Sequence, residues 1–108
     1  MIRLTVMYNL PEGTDEDEFL RWRLTEHQAE NAGMPGVIRT DFARIENALP
    51  GHTPPQHRFM TIAEWADRES FEAAFMTEAA QADLKNDLDR IRDAVFMVSE
   101  ILVSSEDD

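Results

Sequence analysis

Four polar residues in one stretch of the sequence are of the types that perform acid–base chemistry or bind oxygen atoms. They are His27, Asn31, Arg39 and Asp41, and each stands among residues whose pattern indicates packing. Imidazole changes charge near neutral pH, so His27 is a candidate general acid or base. Asn31 and Arg39 can donate hydrogen bonds to a substrate oxygen, and Asp41 can orient or charge the imidazole.

The predicted first helix places His27 and Asn31 on one arc of its surface. Helical geometry puts Leu20, Arg23 and Leu24 on the same arc. Half-buried polar groups need hydrogen-bond partners, which either the protein or a ligand in a cleft between helix and sheet supplies. A core histidine bonded to the backbone is the structural alternative for His27, and the sequence leaves both interpretations open.

Arg39 and Asp41 alternate with apolar residues in a predicted strand, on one face with Val37 and Ala43. Two arrangements fit this pattern. The pair forms an ion pair within the sheet, which adds little stability if exposed, or both side chains project into the cleft beside His27. Two aromatic residues, Trp22 and Tyr8, are further candidates for substrate binding, with packing in the core as their alternative.

The remaining pattern predicts an α+β protein of ferredoxin-like type. Apolar alternation indicates strands, and acidic residues after Thr14 or Asp15 indicate a helix start. Gly33 is the predicted left-handed residue at the end of that helix. The predicted elements are a strand at 2–8, a helix at 15–31, strands at 37–45 and 58–65, a helical stretch at 67–92 that restarts near Thr77, and a strand at 94–103. This βαββαβ order closes as a four-stranded antiparallel sheet with helices on one face.

The last predicted strand is apolar on both of its faces. Helices on one side of a sheet cover only one of these faces, so the other needs a different cover. A second copy of the chain, packed sheet to sheet, supplies it most simply. The sequence therefore predicts a homodimer built from one domain at residues 1–103, followed by a disordered acidic tail at 104–108.

Composition narrows the classes of partner. The chain has 108 residues with 22 acidic and 10 basic side chains, a net charge of -12. This charge argues against nucleic acid and anionic membrane surfaces as partners. The chain contains no cysteine, which excludes disulfides and fits a reducing cytoplasm. The first apolar run reaches a proline and a glycine too early for a signal peptide or a membrane span.

No motif predicts a metal or a cofactor. His52 and His57 flank a proline-rich segment at a spacing that matches no common metal site. The sequence contains neither a GxSxG motif nor a glycine-rich phosphate loop. We therefore expect neither metal nor cofactor.

Four segments carry a resemblance to a known family: "FLRWRLTEHQAEN", "MPGVIRTDF", "PPQHRFMTIAEW" and "FMVSEILVS". Their layout resembles the dimeric α/β-barrel superfamily and, within it, the EthD-like proteins. It is most similar to the REDY-like, or HapK, family, named for proteins encoded beside prodiginine pigment biosynthesis genes. The resemblance spans residues 2–104, and its most specific parts are His27, Asn31, "MPG" at 34–36 and "RTDF" at 39–42.

The resemblance implies a homodimer whose two sheets face each other, with a ligand cleft in each subunit and His27 in that cleft. Relatives in the superfamily include monooxygenases, haem-degrading enzymes, isomerases and cyclases, so the fold selects no reaction. We expect a cofactor-independent enzyme that acts on a hydrophobic or aromatic intermediate of secondary metabolism, by isomerisation, cyclisation, hydration or hydrolysis. The alternatives are a non-catalytic dimer that carries a reactive intermediate and a cofactor-free oxygenase.

Overall fold

Strands and helical runs follow one another in the order β-α-β-β-α-β in the computed structural model, which describes residues 1–105. Residues 106–108 of the predicted disordered tail lie outside the described residues. The strands are β1 (Ile2–Asn9), β2 (Val37–Arg44), β3 (Phe59–Trp65) and β4 (Arg92–Glu100). The helices are α1 (Glu16–Trp22), α2 (Gln28–Ala32), α3 (Arg68–Phe75) and α4 (Glu78–Asp87). A π-helical turn, Arg23–His27, joins α1 to α2, and a 3₁₀ turn, Leu88–Arg90, follows α4.

The four strands form one antiparallel sheet in the order β2-β3-β1-β4. The helical runs pack on one face, which we call the inner face, and the opposite one is the outer face. This arrangement confirms the predicted α+β, ferredoxin-like architecture. None of the helices within residues 1–105 has the length and apolar character that a membrane crossing requires.

Alternation along β1 decides which face is buried. Ile2, Leu4, Val6 and Tyr8 on the inner face are each at most 9% exposed, as the period of two predicts. On β3, Phe59 and Trp65 are fully buried on the same face. The core therefore lies between the two central strands and the helices.

Capping side chains begin three of the helices, α1, α3 and α4. The Asp15 side chain accepts hydrogen bonds from the N–H groups of Asp17 and Glu18, Asp67 caps α3, and Thr77 caps α4. Gly33 was predicted to be left-handed, but its φ is -89°. The left-handed residue is Gly36, with φ of 71°, because the chain reverses there to enter β2.

Strand β4 leaves apolar surface uncovered on both faces of the single chain. Val95 and Met97 on the outer face are 37% and 43% exposed, and Phe96 and Val98 on the inner face are 37% and 45% exposed. As an edge strand, β4 has only one neighbour, β1. The strand also ends at Glu100, three residues before its predicted end.

Candidate active site

A cavity of about 100 Å³ lies between the inner face of the sheet and the helices. Most of its wall is apolar, formed by Leu4, Val6, Phe19, Ala63, Phe75 and Ile91 together with Trp22 and Met34. The polar residues in the wall are Tyr8, Arg23, His27, Asn31, Thr61 and Asp87. Such a mostly apolar pocket with a few convergent polar groups is typical of a small-molecule site.

Four of the predicted site residues line this cavity: His27, Asn31, Trp22 and Tyr8. They come from the first helical run and from β1, so the structure brings together residues that are up to 23 positions apart. The other two predicted residues, Arg39 and Asp41, are not in the cavity wall.

Arg39 and Asp41 form an ion pair within the sheet, on its outer face. Arg39 Nη2 donates to Asp41 Oδ2 at 2.7 Å, and Arg39 Nη1 donates to Glu64 Oε2 at 3.0 Å. Arg3 binds the same Glu64 oxygen at 2.8 Å. The cavity lies on the inner face, so the predicted contact between Asp41 and His27 is not the one observed. Of the two arrangements considered for this pair, the structure shows the ion pair.

The carboxylate beside His27 is that of Asp87, at the end of α4. His27 Nδ1 is 3.6 Å from Asp87 Oδ2 and 3.6 Å from Glu30 Oε2. The imidazole also stacks on Trp22, with ring centroids 4.6 Å apart. No local pattern points to Asp87, because 60 positions separate it from His27 and only the tertiary fold joins them.

Burial lowers the pKa of His27 below its usual value. The carboxylate of Asp87 raises this pKa and the guanidinium of Arg23 lowers it, with smaller opposing effects from Glu30 and Arg90. Burial also raises the pKa of the Asp87 carboxyl. At neutral pH the imidazole is therefore mainly uncharged and holds a lone pair that can accept a proton.

Replacing Asp87 by asparagine should lower the pKa of His27 further, because the nearby negative charge that favours imidazolium is removed. An acidic limb in the pH dependence of activity should then move to lower pH. Titration of the His27 ring resonances by NMR measures this shift directly. Glu30→Gln is the matched control, since the more exposed Glu30 should shift the His27 pKa less. A higher His27 pKa in Asp87→Asn would contradict the assignment.

A fully buried arginine was missed as a site residue. Arg23 is only 1% exposed, and its guanidinium donates to Gln28 Oε1 at 2.8 Å and to Thr61 Oγ1 at 3.0 Å. It also lies 4.1 Å from the ring centroid of Phe42. Burial raises the pKa of the Tyr8 hydroxyl, while nearby Arg23 and Thr61 oppose the increase. Tyr8 thus remains a hydrogen-bond donor at neutral pH.

The π-helical turn Arg23–His27 carries the two ionisable residues that the first helical run contributes to the cavity wall, Arg23 and His27. Its wider winding buries Arg23 and leaves Leu24 58% exposed, whereas a regular helix predicted both on one arc. Side chains five positions apart then meet, as Arg23 and Gln28 do. Short π-helical turns of this kind occur frequently at functional sites.

One cluster of side chains has the donor types to hold a metal ion. Ligand atoms of His27, Glu30 and Asp87 lie within 4.8 Å of one another. An imidazole with two carboxylates suits divalent ions such as Zn²⁺ or Mn²⁺. His52 and His57 are not part of this cluster. Experiments on the site therefore need a chelator control.

Comparison with known families gives one match over nearly the whole chain. The family model described as REDY-like protein HapK matches residues 2–102. A comparison with proteins of curated function gave no match.

Three solved structures illustrate the shared fold. An EthD family protein from Bacillus halodurans has 22% identity and a TM-score of 0.75, over 94% of this chain and 99% of that one. HapK from Hahella chejuensis has 21% identity and a TM-score of 0.71, over 97% and 96% of the two chains. SnoaB from Streptomyces nogalater, described as a cofactor-independent oxygenase, has 13% identity and a TM-score of 0.70, over 96% and 95%.

The family match and the observed architecture agree. The matched residues include all four strands, the π-helical turn and the cavity between them. The chain belongs to the REDY-like HapK family.

Proposed function

We propose that this protein is a small cofactor-independent enzyme that moves a proton on a hydrophobic, aromatic or conjugated intermediate of secondary metabolism. The observation that carries the proposal is the position of His27. Its imidazole lies in the wall of a mostly apolar cavity, is uncharged at neutral pH and has Asp87 at 3.6 Å. A base in such a site can accept a proton from a bound substrate.

The proposed proton transfer uses groups already in the cavity wall. His27 accepts a proton from a C–H or O–H group of the substrate, and the electron pair of the broken bond remains on the substrate. Asp87 stabilises the resulting imidazolium. Return of that proton to a different atom completes an isomerisation or cyclisation. With a bound water as the proton source, the same base would support hydration or hydrolysis.

Three of the other predicted residues, Asn31, Tyr8 and Trp22, have binding or positioning roles in this proposal. The Asn31 side-chain amide can donate to a substrate oxygen, and Tyr8 supplies a hydroxyl. Trp22 holds the imidazole by stacking on it. Arg39 and Asp41 have no direct role, because their side chains bind Glu64 and each other on the outer face.

Incorporation of deuterium from heavy water tests the proposal. A panel of phenols and conjugated ketones is incubated with chelator-treated protein, and deuterium at carbon is followed by mass spectrometry. We expect protein-dependent incorporation into at least one compound without any added cofactor. Binding without incorporation across the panel would reject the enzyme and favour the non-catalytic carrier.

A cofactor-free oxygenase is the second candidate. SnoaB, which shares the fold, is described as an oxygenase of this kind. Removal of a proton from an electron-rich substrate leaves a carbanion or phenolate that can transfer electrons to O₂. Oxygen uptake that depends on both substrate and protein would favour this candidate, and unchanged oxygen with deuterium incorporation would favour the first.

We also propose that two copies associate through their outer faces. The apolar side chains of this face include exposed Val95 and Met97 on β4, half-buried Met7 and Met60 on β1 and β3, and buried Ile62. Two twisted sheets packed face to face bury such side chains between them. The homodimer expected from the sequence is thus compatible with the cavity, which lies on the opposite face.

Met97→Asp should convert the dimer to a monomer, because it places a charge in the apolar surface that the proposed association buries. Sedimentation at micromolar concentration measures the change, with the wild-type protein expected to sediment as a dimer. Leu49→Asp, at an exposed loop position, is the matched control and should remain dimeric. A monomeric wild-type protein would contradict the proposed association.

A further inference from the structure

The guanidinium of Arg23 is a buried charge without a counter-ion. Its side chain is 1% exposed, and within residues 1–105 no carboxylate oxygen lies within 4.0 Å of it. Its hydrogen-bond acceptors Gln28 Oε1 and Thr61 Oγ1 are neutral, and the Tyr8 hydroxyl beside it is neutral as well. Its Nε has no hydrogen-bond partner among the residues that the structure describes.

An unpaired charge in a protein interior is unfavourable unless something compensates it. Two neutral acceptors and the ring face of Phe42 compensate the Arg23 charge only in part. In proteins a charged side chain such as that of arginine is almost never fully buried unless it is paired with an opposite charge. An anionic group of a bound ligand would complete the compensation of the Arg23 charge.

We propose that Arg23, with the Tyr8 hydroxyl, binds an oxygen anion of the ligand, so that the substrate is a phenol or an enol that is held as its oxyanion. Both residues line the cavity that contains His27. This inference deepens the proposed function and rests on it for the role of His27. It assigns the charged oxygen of the ligand to the part of the cavity wall that Arg23 and Tyr8 form.

The charges balance when the proton moves. The net charge of -12 repels anions, so the ligand enters as the neutral phenol or ketone. His27 accepts the proton, and the electron pair stays on the ligand and resides mainly on its oxygen. Arg23 then pairs with the oxyanion and Asp87 with the imidazolium. Two isolated charges thereby become two ion pairs inside a mainly apolar cavity.

His27 is the reason to infer a phenol or an enol, and not a carboxylate, as the ligand. An aromatic carboxylate is already ionised at neutral pH and needs no proton acceptor. A phenol or an enolisable ketone must lose a proton to match Arg23, and His27 is the group that can accept it. The apolar wall favours a conjugated body attached to that oxygen.

The probe for this test is 4-nitrophenol, because it titrates near neutral pH and only its anion absorbs visible light. 4-Nitrotoluene is the uncharged comparison of similar shape. We expect wild-type protein to lower the apparent pKa of bound 4-nitrophenol relative to the free compound. Arg23→Met should weaken binding of the anion by about tenfold or more, and binding of 4-nitrotoluene should change by less than about twofold.

Arg58→Met is the matched control for the loss of one positive charge. Arg58 pairs with Glu16 at 3.0 Å and does not line the cavity, so anion binding should stay at the wild-type value. Circular dichroism checks that Arg23→Met is folded. If Arg23→Met is unfolded, titration of 4-nitrophenol bound to the wild-type protein still tests the inference. An unchanged or raised pKa of the bound probe would overturn it.

The binding test and the activity test fail independently. Preference for the anion without any deuterium incorporation would reject the acid–base enzyme and keep the oxyanion site. Incorporation that survives Arg23→Met unchanged, with no preference for the anion, would reject the oxyanion site and keep His27 as the base. Tight binding of 4-nitrobenzoate but not of 4-nitrophenolate would reject the phenol or enol as the substrate class.

Discussion

His27→Ala should slow deuterium incorporation into the substrate by about a hundredfold or more. The variant lacks the group in the cavity wall that is uncharged and able to accept a proton at neutral pH. Initial rates measured at saturating substrate report the loss, and near-ultraviolet circular dichroism reports whether the fold is retained.

His57→Ala is the matched control for the loss of an imidazole. His57 Nε2 lies 3.1 Å from the Asp93 carbonyl oxygen, and this residue is not in the cavity wall. Its replacement should leave the rate within about twofold of the wild-type value. A folded His27→Ala protein with the wild-type rate would remove His27 from the mechanism.

Phe59→Ala should lower the free energy of unfolding by about 3–5 kcal/mol. Phe59 is fully buried at the start of the central strand β3, and its ring centroid lies 5.4 to 5.9 Å from those of Phe42, Phe19 and Tyr8. Its removal leaves a cavity where three aromatic side chains meet. Because domains of this size are stable by only about 5–15 kcal/mol, the loss is a large share of the total.

Urea unfolding followed by circular dichroism measures the effect of Phe59→Ala. Phe59→Leu is the control, because it keeps most of the apolar volume and should be destabilised by less than about 1.5 kcal/mol. Equal losses in the two variants would show that aromatic contacts, and not volume, dominate at this position. A loss below about 1 kcal/mol in Phe59→Ala would contradict the packing described.

The architecture follows from local chemistry in the sequence. Apolar residues that alternate along β1 specify its buried face, and this period of two is present in the sequence itself. Asp15, Asp67 and Thr77 each have a short polar side chain that can bond the first free N–H groups of a helix. Each of these patterns lies within a single element, so it predicts that element without information on distant parts of the chain.

The outer position of Arg39 could not be predicted, because it depends on an irregularity in the strand. Strict alternation placed Val37 and Arg39 on one face. A register shift between them puts Val37 opposite Trp65 and Arg39 opposite Glu64, on different faces of the sheet. One extra residue in a strand reverses the orientation of everything that follows.

The π-helical turn and the contact of Asp87 with His27 could not be predicted from the sequence, for similar reasons. A period of 3.6 residues assumes a regular helix, so it could not separate buried Arg23 from exposed Leu24. Asp87 meets His27 only after α4 has packed beside the first helical run. The histidine itself was identified because imidazole is the side chain whose charge changes near neutral pH.

The ion pairs on the outer face bear on the proposed association of two copies. Arg3 and Arg39 offset Glu64 and Asp41, so this patch is electrically neutral on a molecule of net charge -12. Two strongly acidic molecules repel each other in most orientations, and the repulsion is weakest where neutral patches face. Long-range electrostatic repulsion would thus orient two approaching copies with their outer faces towards each other before any side chains make contact.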